Sequence, residues 1–112
     1  GKSGLADMTA ALLTKGTKTR SATEIAEAIE FLGGTIDAGA AWDFSHVTVN
    51  VMTDKLDRAL GVMSDAVRNP VFKQEEIDLY RTQLLDELSV QLKQPGTLAS
   101  CAATSLVFGG NE

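Results

Sequence analysis

The sequence predicts an α+β fold in which helices pack on one face of a small, mostly antiparallel sheet. Three observations support this prediction. Apolar residues recur at helical spacing near the start of the chain, the hydrophobic period changes to two between residues 35 and 52, and the helical period then returns. A chain of 112 residues has room for at most one domain with a modest core.

Two helices are predicted in the first 34 residues. Residues 5–14 form the first, because their apolar residues recur every three or four positions, and Gly16 ends it. The second begins at Ser21, since its hydroxyl and the Glu24 carboxylate have the spacing of a capping box. A glycine pair at positions 33 and 34 ends this helix. Its apolar stripe consists of Ile25, Ala28, Ile29 and Leu32.

A hairpin of two strands is predicted next. Residues 35–38 form a short strand, residues 39–43 connect, and residues 44–52 form a second strand with one buried face. The inward side chains are Val47, Val49 and Val51, and the outward ones are His46, Thr48 and Asn50. An isolated hairpin is marginally stable in water, so we expect strands from outside this chain to complete the sheet.

Three further helices are predicted in the rest of the chain. Asp54 caps the third, which stops before Pro70, and the fourth covers residues 74–91. Pro95 and Gly96 break the helical pattern, and residues 97–108 form the fifth. The predicted core positions of the third and fourth helices are Leu56, Leu60, Met63, Val67, Ile77, Tyr80, Leu84 and Leu88.

Composition excludes several classes of function. A net charge of −5 without a basic cluster argues against nucleic-acid binding, and the lack of a long apolar run argues against membrane insertion. Cys101 is the only cysteine, so no internal disulfide forms. Because the chain starts abruptly without Met, we expect it to be a piece of a longer protein.

The stretch from residue 4 to residue 11 reads Gly-Leu-Ala-Asp-Met-Thr-Ala-Ala, and Gly-Thr follows at positions 16 and 17. This frame resembles the metal-binding helix of the pitrilysin/insulinase-type zinc peptidases, the inverzincins. The motif of that family is His-x-x-Glu-His. Here Asp7 occupies the position of the first histidine, Ala10 that of the glutamate and Ala11 that of the second histidine.

Three later segments extend the resemblance. They are residues 15–21 after the first helix, residues 31–38 with the sequence Phe-Leu-Gly-Gly-Thr-Ile-Asp-Ala, and residues 69–77 around Asn-Pro-Val-Phe. Their order and spacing identify the chain as an inactive-type relative of this family. The resemblance implies a metallopeptidase-like α/β roll, of which residues 1–112 make a single partial domain.

The residues present do not supply the chemistry of the family. Catalytic zinc takes three protein ligands and a water, and the resemblance implies two histidines and a glutamate. The resemblance places Glu87, 76 residues beyond Ala11, at the position of that third ligand, so Glu87 is either a relic of the metal site or an ordinary surface charge. Asp7 and Glu87 alone suit weak Ca²⁺ or Mg²⁺ contact better than zinc, and Ala10 removes the general base. We expect no metal, no cofactor and no catalytic residue in this chain.

The resemblance implies a catalytically inactive domain that pairs with an active pitrilysin-like copy, as a separate subunit or as the other half of one chain. It would contribute to peptide binding or to chamber assembly, in the bacterial periplasm or at the envelope. An exposed strand edge also favours a homo-oligomer. Two alternatives stay open. The chain is an active metallopeptidase whose ligands come from a partner chain, or it is a purely structural assembly subunit.

Four other side chains are candidates for a functional role. His46 is expected to be exposed or hydrogen-bonded on the polar face of its strand, and Cys101 to be a buried, inert thiol. Trp42 and Phe44 flank the predicted turn, where aromatic residues anchor a core more often than they bind a ligand. They are also the best candidates for an exposed apolar contact.

Overall fold

The computed structural model describes residue 2 and residues 4–109, and the chain divides into two compact units, Gly1–Ile77 and Asp78–Glu112. Five α-helices and two strands lie in the described residues. They are α1 (Leu5–Leu12), α2 (Ala22–Phe31), β1 (Thr35–Ala40), β2 (Ser45–Asn50), α3 (Leu56–Arg68), α4 (Gln74–Gln91) and α5 (Pro95–Phe108), with a 3₁₀ turn at Thr53–Lys55. This element order confirms the predicted α+β class. Whether residues 1–112 make one partial domain stays a prediction.

The two strands pair as an antiparallel hairpin. Thr35 lies opposite Asn50 at one end, and Ala40 lies opposite Ser45 at the other. The prediction that residues 39–43 connect the strands was partly wrong, because Gly39 and Ala40 continue the ladder. Only residues 41–44 turn the chain.

The core of the first unit lies between α2, α3 and one face of the hairpin. Its buried residues come from the predicted stripe of α2 and from α3, and three residues from the hairpin and its end pack against them. They are Ile25, Ile29, Leu32, Ala59 and Val62, with Ile36, Val49 and Val51. The predicted inward face of the second strand is confirmed for Val47, Val49 and Val51, which are half-buried between exposed neighbours.

Both ends of α2 follow from local sequence. The hydroxyl of Ser21 accepts from the backbone N–H of Glu24, whose carboxylate accepts from the backbone N–H of Ser21, so the predicted capping box is confirmed. At the other end Gly33 has a φ of 70°. A Cβ at Gly34 would overlap the carbonyl oxygen of Asn50, so the chain enters β1 only with glycine at this position.

The third helix differs from its prediction in two ways. Asp54 lies in the 3₁₀ turn and does not cap α3, whose first flanking residue is Lys55. The buried residues are Ala59, Val62 and Ala66, whereas Leu56, Leu60 and Val67 are 43%, 47% and 48% exposed and Met63 is half-buried. Small side chains let α3 approach α2 and β2 closely, so the buried face is the one with alanines.

The second unit consists of the rest of α4 and of α5. The bounds of α4 match the prediction, but its predicted core was wrong, since neither helix contains a buried residue. Leu84 and Leu88 are exposed, and Ile77 and Tyr80 are half-buried. Within the described residues, the second unit has no third element that could cover the apolar side chains of α4 and α5, so these side chains stay exposed. Pro95 is the first residue of α5 instead of a break, since proline suits the first turn of a helix.

Candidate functional site

The helix α1 carries the degenerate motif. It starts after Gly4, whose φ of 79° lies in the left-handed region, and Asp7 occupies its first turn. The Asp7 side chain is exposed to solvent, and an acidic group there is favoured by the helix dipole. The segment that resembles the family's metal-binding helix is therefore helical, with one carboxylate in its N-terminal turn.

The other two motif positions offer no chemistry. Ala10 is 2% exposed and belongs, with Leu12, to the buried residues of α1, whereas Ala11 is half-buried. The elements nearest to α1 are β1 and β2. Position 10, which the resemblance assigns to the general base, is therefore closed to solvent and filled by a methyl group.

Glu87 lies on α4 in the second unit. Its side chain is exposed, and Oε1 accepts a hydrogen bond from Nε2 of Gln91 at 3.2 Å. This is an ordinary contact between residues one helical turn apart. Whether Glu87 is a relic of a metal site stays a prediction.

Zinc does not fit the residues present. Within residues 4–109 no group of three or more His, Cys, Asp or Glu side chains is placed to hold a metal ion. On α1 only Asp7 provides a carboxylate that could bind a metal ion. Catalytic zinc takes three protein ligands, so one carboxylate is not enough. No catalytic step through zinc follows from this chain.

Asp65 on α3, which the sequence interpretation missed, accepts four side-chain hydrogen bonds. Its Oδ2 accepts hydrogen bonds from Thr17 Oγ1 at 2.6 Å and from Thr19 Oγ1 and Arg20 Nη1 at 3.0 Å each. Oδ1 accepts from Asn69 Nδ2 at 3.0 Å. We call these five residues the Asp65 cluster.

The Asp65 cluster fixes the loop that follows α1. The Thr17 side chain is buried, and its hydroxyl also accepts from the backbone N–H groups of Thr19 and Arg20. The backbone of the same loop is bonded to residues after α3, from Lys18 N to Asn69 O at 3.1 Å and from Val71 N to Gly16 O at 3.2 Å. Contacts with α3 and with the residues that follow it thus fix the path of the chain after α1.

The donors of the cluster also change the acidity of Asp65. The hydrogen bond from Thr17 is the largest cause that lowers the pKa of Asp65 from its ordinary 3.8 to about 2, against an opposing effect of burial. The bonds from Asn69, Thr19 and Arg20 act in the same direction as that from Thr17. Asp65 is therefore ionised at neutral pH and serves as a structural acceptor.

The sequence held only a partial signal for this cluster. Asp65 and Asn69 are four positions apart on a predicted helix, which places them on one face. The donors Thr17, Thr19 and Arg20 lie more than 40 residues earlier, so no local pattern joins them to Asp65.

The hairpin offers a second candidate site, its free backbone edges. Ala41 N donates to Phe44 O at 2.7 Å. Since hydrogen-bonded and non-bonded pairs alternate in an antiparallel ladder, the residues whose own N–H and C=O point away from the partner strand follow from this bond. They are Ile36, Ala38 and Ala40 on β1, and Ser45, Val47 and Val49 on β2.

The turn of the hairpin corrects one prediction. Trp42 is 92% exposed and Phe44 is 62% exposed, so neither anchors the core. Both residues lie outside the buried cluster of α2, α3 and the hairpin, and the Phe44 ring lies beside the His46 ring, with centroids 5.9 Å apart. His46 is exposed, as expected, but Cys101 is exposed in the second unit, and its predicted burial was wrong.

Comparison with known proteins settles the family. The sequence profile of insulinase (peptidase family M16) matches residues 1–106, which is nearly the whole chain. The chain belongs to the insulinase family M16. The family resemblance drawn from residues 4–17 and the three later segments is thereby confirmed.

Two curated relatives of this chain come from bacteria. An uncharacterized zinc protease of Streptomyces coelicolor is 30% identical over 100 residues, which are 89% of this chain and 22% of the relative. An uncharacterized zinc protease of Rickettsia bellii is 31% identical over 98 residues, 88% of this chain and 24% of the relative. The chain thus spans about a quarter or less of the length of these M16 relatives.

A solved M16 structure is similar over almost the whole chain. The peptidase M16 inactive domain from Pseudomonas fluorescens superposes with a TM-score of 0.85 and 28% identity, covering 95% of this chain and 26% of that one. The helices and the antiparallel hairpin described above are therefore part of an M16 fold. In the described part of the chain, no helix has the length and apolar character needed to cross a bilayer.

Proposed function

We propose that this chain is a catalytically inactive M16 domain that pairs with an active copy and contributes to peptide binding or chamber assembly. One observation carries the proposal. The helix α1 keeps the family frame around the motif but has Asp7, Ala10 and Ala11 in place of ligands and base. The likeness to an inactive M16 domain supports it.

The peptide-binding part of the proposal rests on the free edge of β2. An extended peptide that adds to this edge gains main-chain hydrogen bonds to Ser45, Val47 and Val49. Backbone bonding of this kind depends little on the peptide's side chains, so peptides of varied sequence are the expected ligands. In this proposal the chain binds the peptide and does not cleave it.

Zinc content and peptide cleavage test the inactive-domain proposal. We expect the purified protein to contain far less than one equivalent of zinc and to cleave no peptide, with or without a chelator. Stoichiometric zinc together with chelator-sensitive cleavage by the protein alone would contradict it. The same result after addition of a partner chain would instead favour the model in which the partner supplies ligands.

Pairing is tested by isolating the protein from its native cells. We expect it to co-purify with an M16 protein that has an intact His-x-x-Glu-His motif. Purification in a complex without any such protein would favour a purely structural subunit. Cell fractionation tests the associated proposal that the protein resides in the periplasm or at the envelope.

Proline substitution tests which strand edge binds peptide. Ser45→Pro removes an outward N–H from β2, and a proline is tolerated at the first residue of a strand. We expect it to weaken binding of a labelled, unstructured peptide about three- to tenfold, the loss of one hydrogen bond. Fluorescence anisotropy measures this change.

The matched control is Ala40→Pro, because Ala40 lies directly opposite Ser45 and has its N–H on the edge of β1. We expect Ala40→Pro to leave peptide affinity unchanged, with circular dichroism confirming that both variants fold. If only Ala40→Pro weakened binding, the peptide would bind to the edge of β1 instead of the edge of β2. An equal effect of both prolines would indicate general damage to the hairpin.

A further inference from the structure

The outer side of α3 carries an apolar strip that nothing in the first unit covers. Leu56, Leu60 and Val67 are close to half exposed, and Met63 is half-buried between them. Three of these four residues are leucine or methionine, whereas the buried positions of the helix hold alanine or valine. We call Leu56, Leu60, Met63 and Val67 the α3 seam.

The spacing of the α3 seam is that of a coiled coil. Its residues follow one another at intervals of four, three and four, which is the a/d pattern of a heptad. Such residues form a narrow row along one side of a helix and insert between the side chains of a facing helix. The seam is therefore shaped to pack against a second helix.

The residues beside the seam indicate which helix that is. On its solvent side lie Asp57 near the start of α3, Arg68 at its end, and the small residues Gly61 and Ser64 between them. Neither Asp57 nor Arg68 forms an ion pair within residues 4–109, where the bridges are Arg20–Asp65 and Lys55–Asp54. A Cβ at Gly61 would meet nothing within 4 Å, so the middle of this side is open.

We propose that α3 is an interface between two copies of this chain, packed antiparallel about a two-fold axis near residue 62. This arrangement places Leu60 against Met63 of the second copy and Leu56 against Val67 of the second copy. Asp57 then meets Arg68 of the second copy at both ends. Gly61 meets Ser64 of the second copy in the middle, where small residues allow close approach.

Self-complementarity is what selects a second copy over another partner. A two-fold contact requires one surface to match itself, with opposite charges at equal distances from the axis. The α3 seam meets this requirement, since reversing its direction exchanges acid for base and leaves the apolar row in register. The inference stands on α3 alone and does not depend on the peptide-binding role.

The size of the surface predicts a weak dimer. A helix of 13 residues is about 20 Å long, so two such helices bury an area at the low end for specific interfaces. We expect dimerisation to depend on concentration and to weaken with added salt, because the end charges are exposed.

Sedimentation equilibrium of the protein at its natural length tests the apolar row. Leu60→Asp is expected to weaken dimerisation about tenfold or more, since it places a charge at the centre of the interface. Trp42→Asp is the control, because Trp42 is 92% exposed at the turn of the hairpin and lies outside the seam. We expect this control to dimerise like the unchanged protein. Circular dichroism checks that both variants fold.

A charge exchange tests the proposed orientation. Asp57→Arg and Arg68→Asp each place like charges at both ends of a homodimer, so each alone is expected to dimerise severalfold more weakly. Mixed together, the two variants form a heterodimer with both ion pairs intact, and we expect this mixture to recover dimerisation. A loss of stability alone would not produce such a recovery.

Three results would overturn the proposal. They are a monomer at every concentration and salt tested, a dimer equally sensitive to Leu60→Asp and Trp42→Asp, and mixtures of the two charge variants that dimerise no more strongly than each variant alone. A monomer in which another segment protects α3 from hydrogen exchange would identify that segment as the occupant of the seam.

Discussion

Ala10→Glu is expected to lower the free energy of unfolding by about 3 kcal/mol or more. Ala10 is 2% exposed, so the larger side chain must displace its neighbours and its carboxylate must leave water without a partner. Urea titration followed by circular dichroism measures the effect. The substitution restores the glutamate of the family motif, yet we expect an unstable protein and no gain of function.

Two matched variants separate the causes. Ala10→Gln adds nearly the same volume without charge and is expected to cost less than Ala10→Glu. Ala6→Glu places the same carboxylate on the exposed side of the same helix and should change stability by about 0.5 kcal/mol or less. If Ala10→Glu were as stable as Ala6→Glu, position 10 would be open to solvent, and the closed motif position described here would be wrong.

Asp65→Asn is expected to lower the free energy of unfolding by about 2–3 kcal/mol at neutral pH. The change replaces a charged carboxylate by a neutral amide. The donors of Thr17, Thr19 and Arg20, which all bond to Oδ2 of Asp65, then lose a charged acceptor. The Asp65 side chain is only 13% exposed, so water does not fully replace the lost bonds. Urea titration at pH 7 measures the difference.

The pH dependence of the same variant identifies the ionised form as the stabilising one. The pKa of Asp65 is about 2 in the folded protein and 3.8 ordinarily, so its contribution is complete above about pH 5 and is lost as the pH falls through 3.8 towards 2. This difference corresponds to about 2 kcal/mol. The stability gap between the unchanged protein and Asp65→Asn should therefore narrow between pH 5 and pH 2.

The control for both measurements is Asp37→Asn. Asp37 is exposed on β1 and forms no ion pair within the described residues, so its replacement should change stability by about 0.5 kcal/mol or less at any of these pH values. A gap for Asp65→Asn that stays constant with pH would show that its charge is not what stabilises the loop.

Local sequence determined the elements and which residues stand at the family's motif positions. The capping box at Ser21, the alternation around Val49 and the helical period of residues 74–91 are patterns of neighbours along the chain, so they predicted three elements correctly. The sequence also shows directly that Asp7, Ala10 and Ala11 replace the His, Glu and His of the family motif.

Tertiary structure alone decided which surfaces are covered. The large residues of α3 predicted the wrong buried face, because close packing against α2 and β2 selected the side with Ala59 and Ala66. The convergence of Thr17, Arg20 and Asp65 joins residues more than 40 positions apart, which no local period encodes. Burial and hydrogen-bond partners depend on contacts between distant segments, and such contacts are absent until the chain has folded.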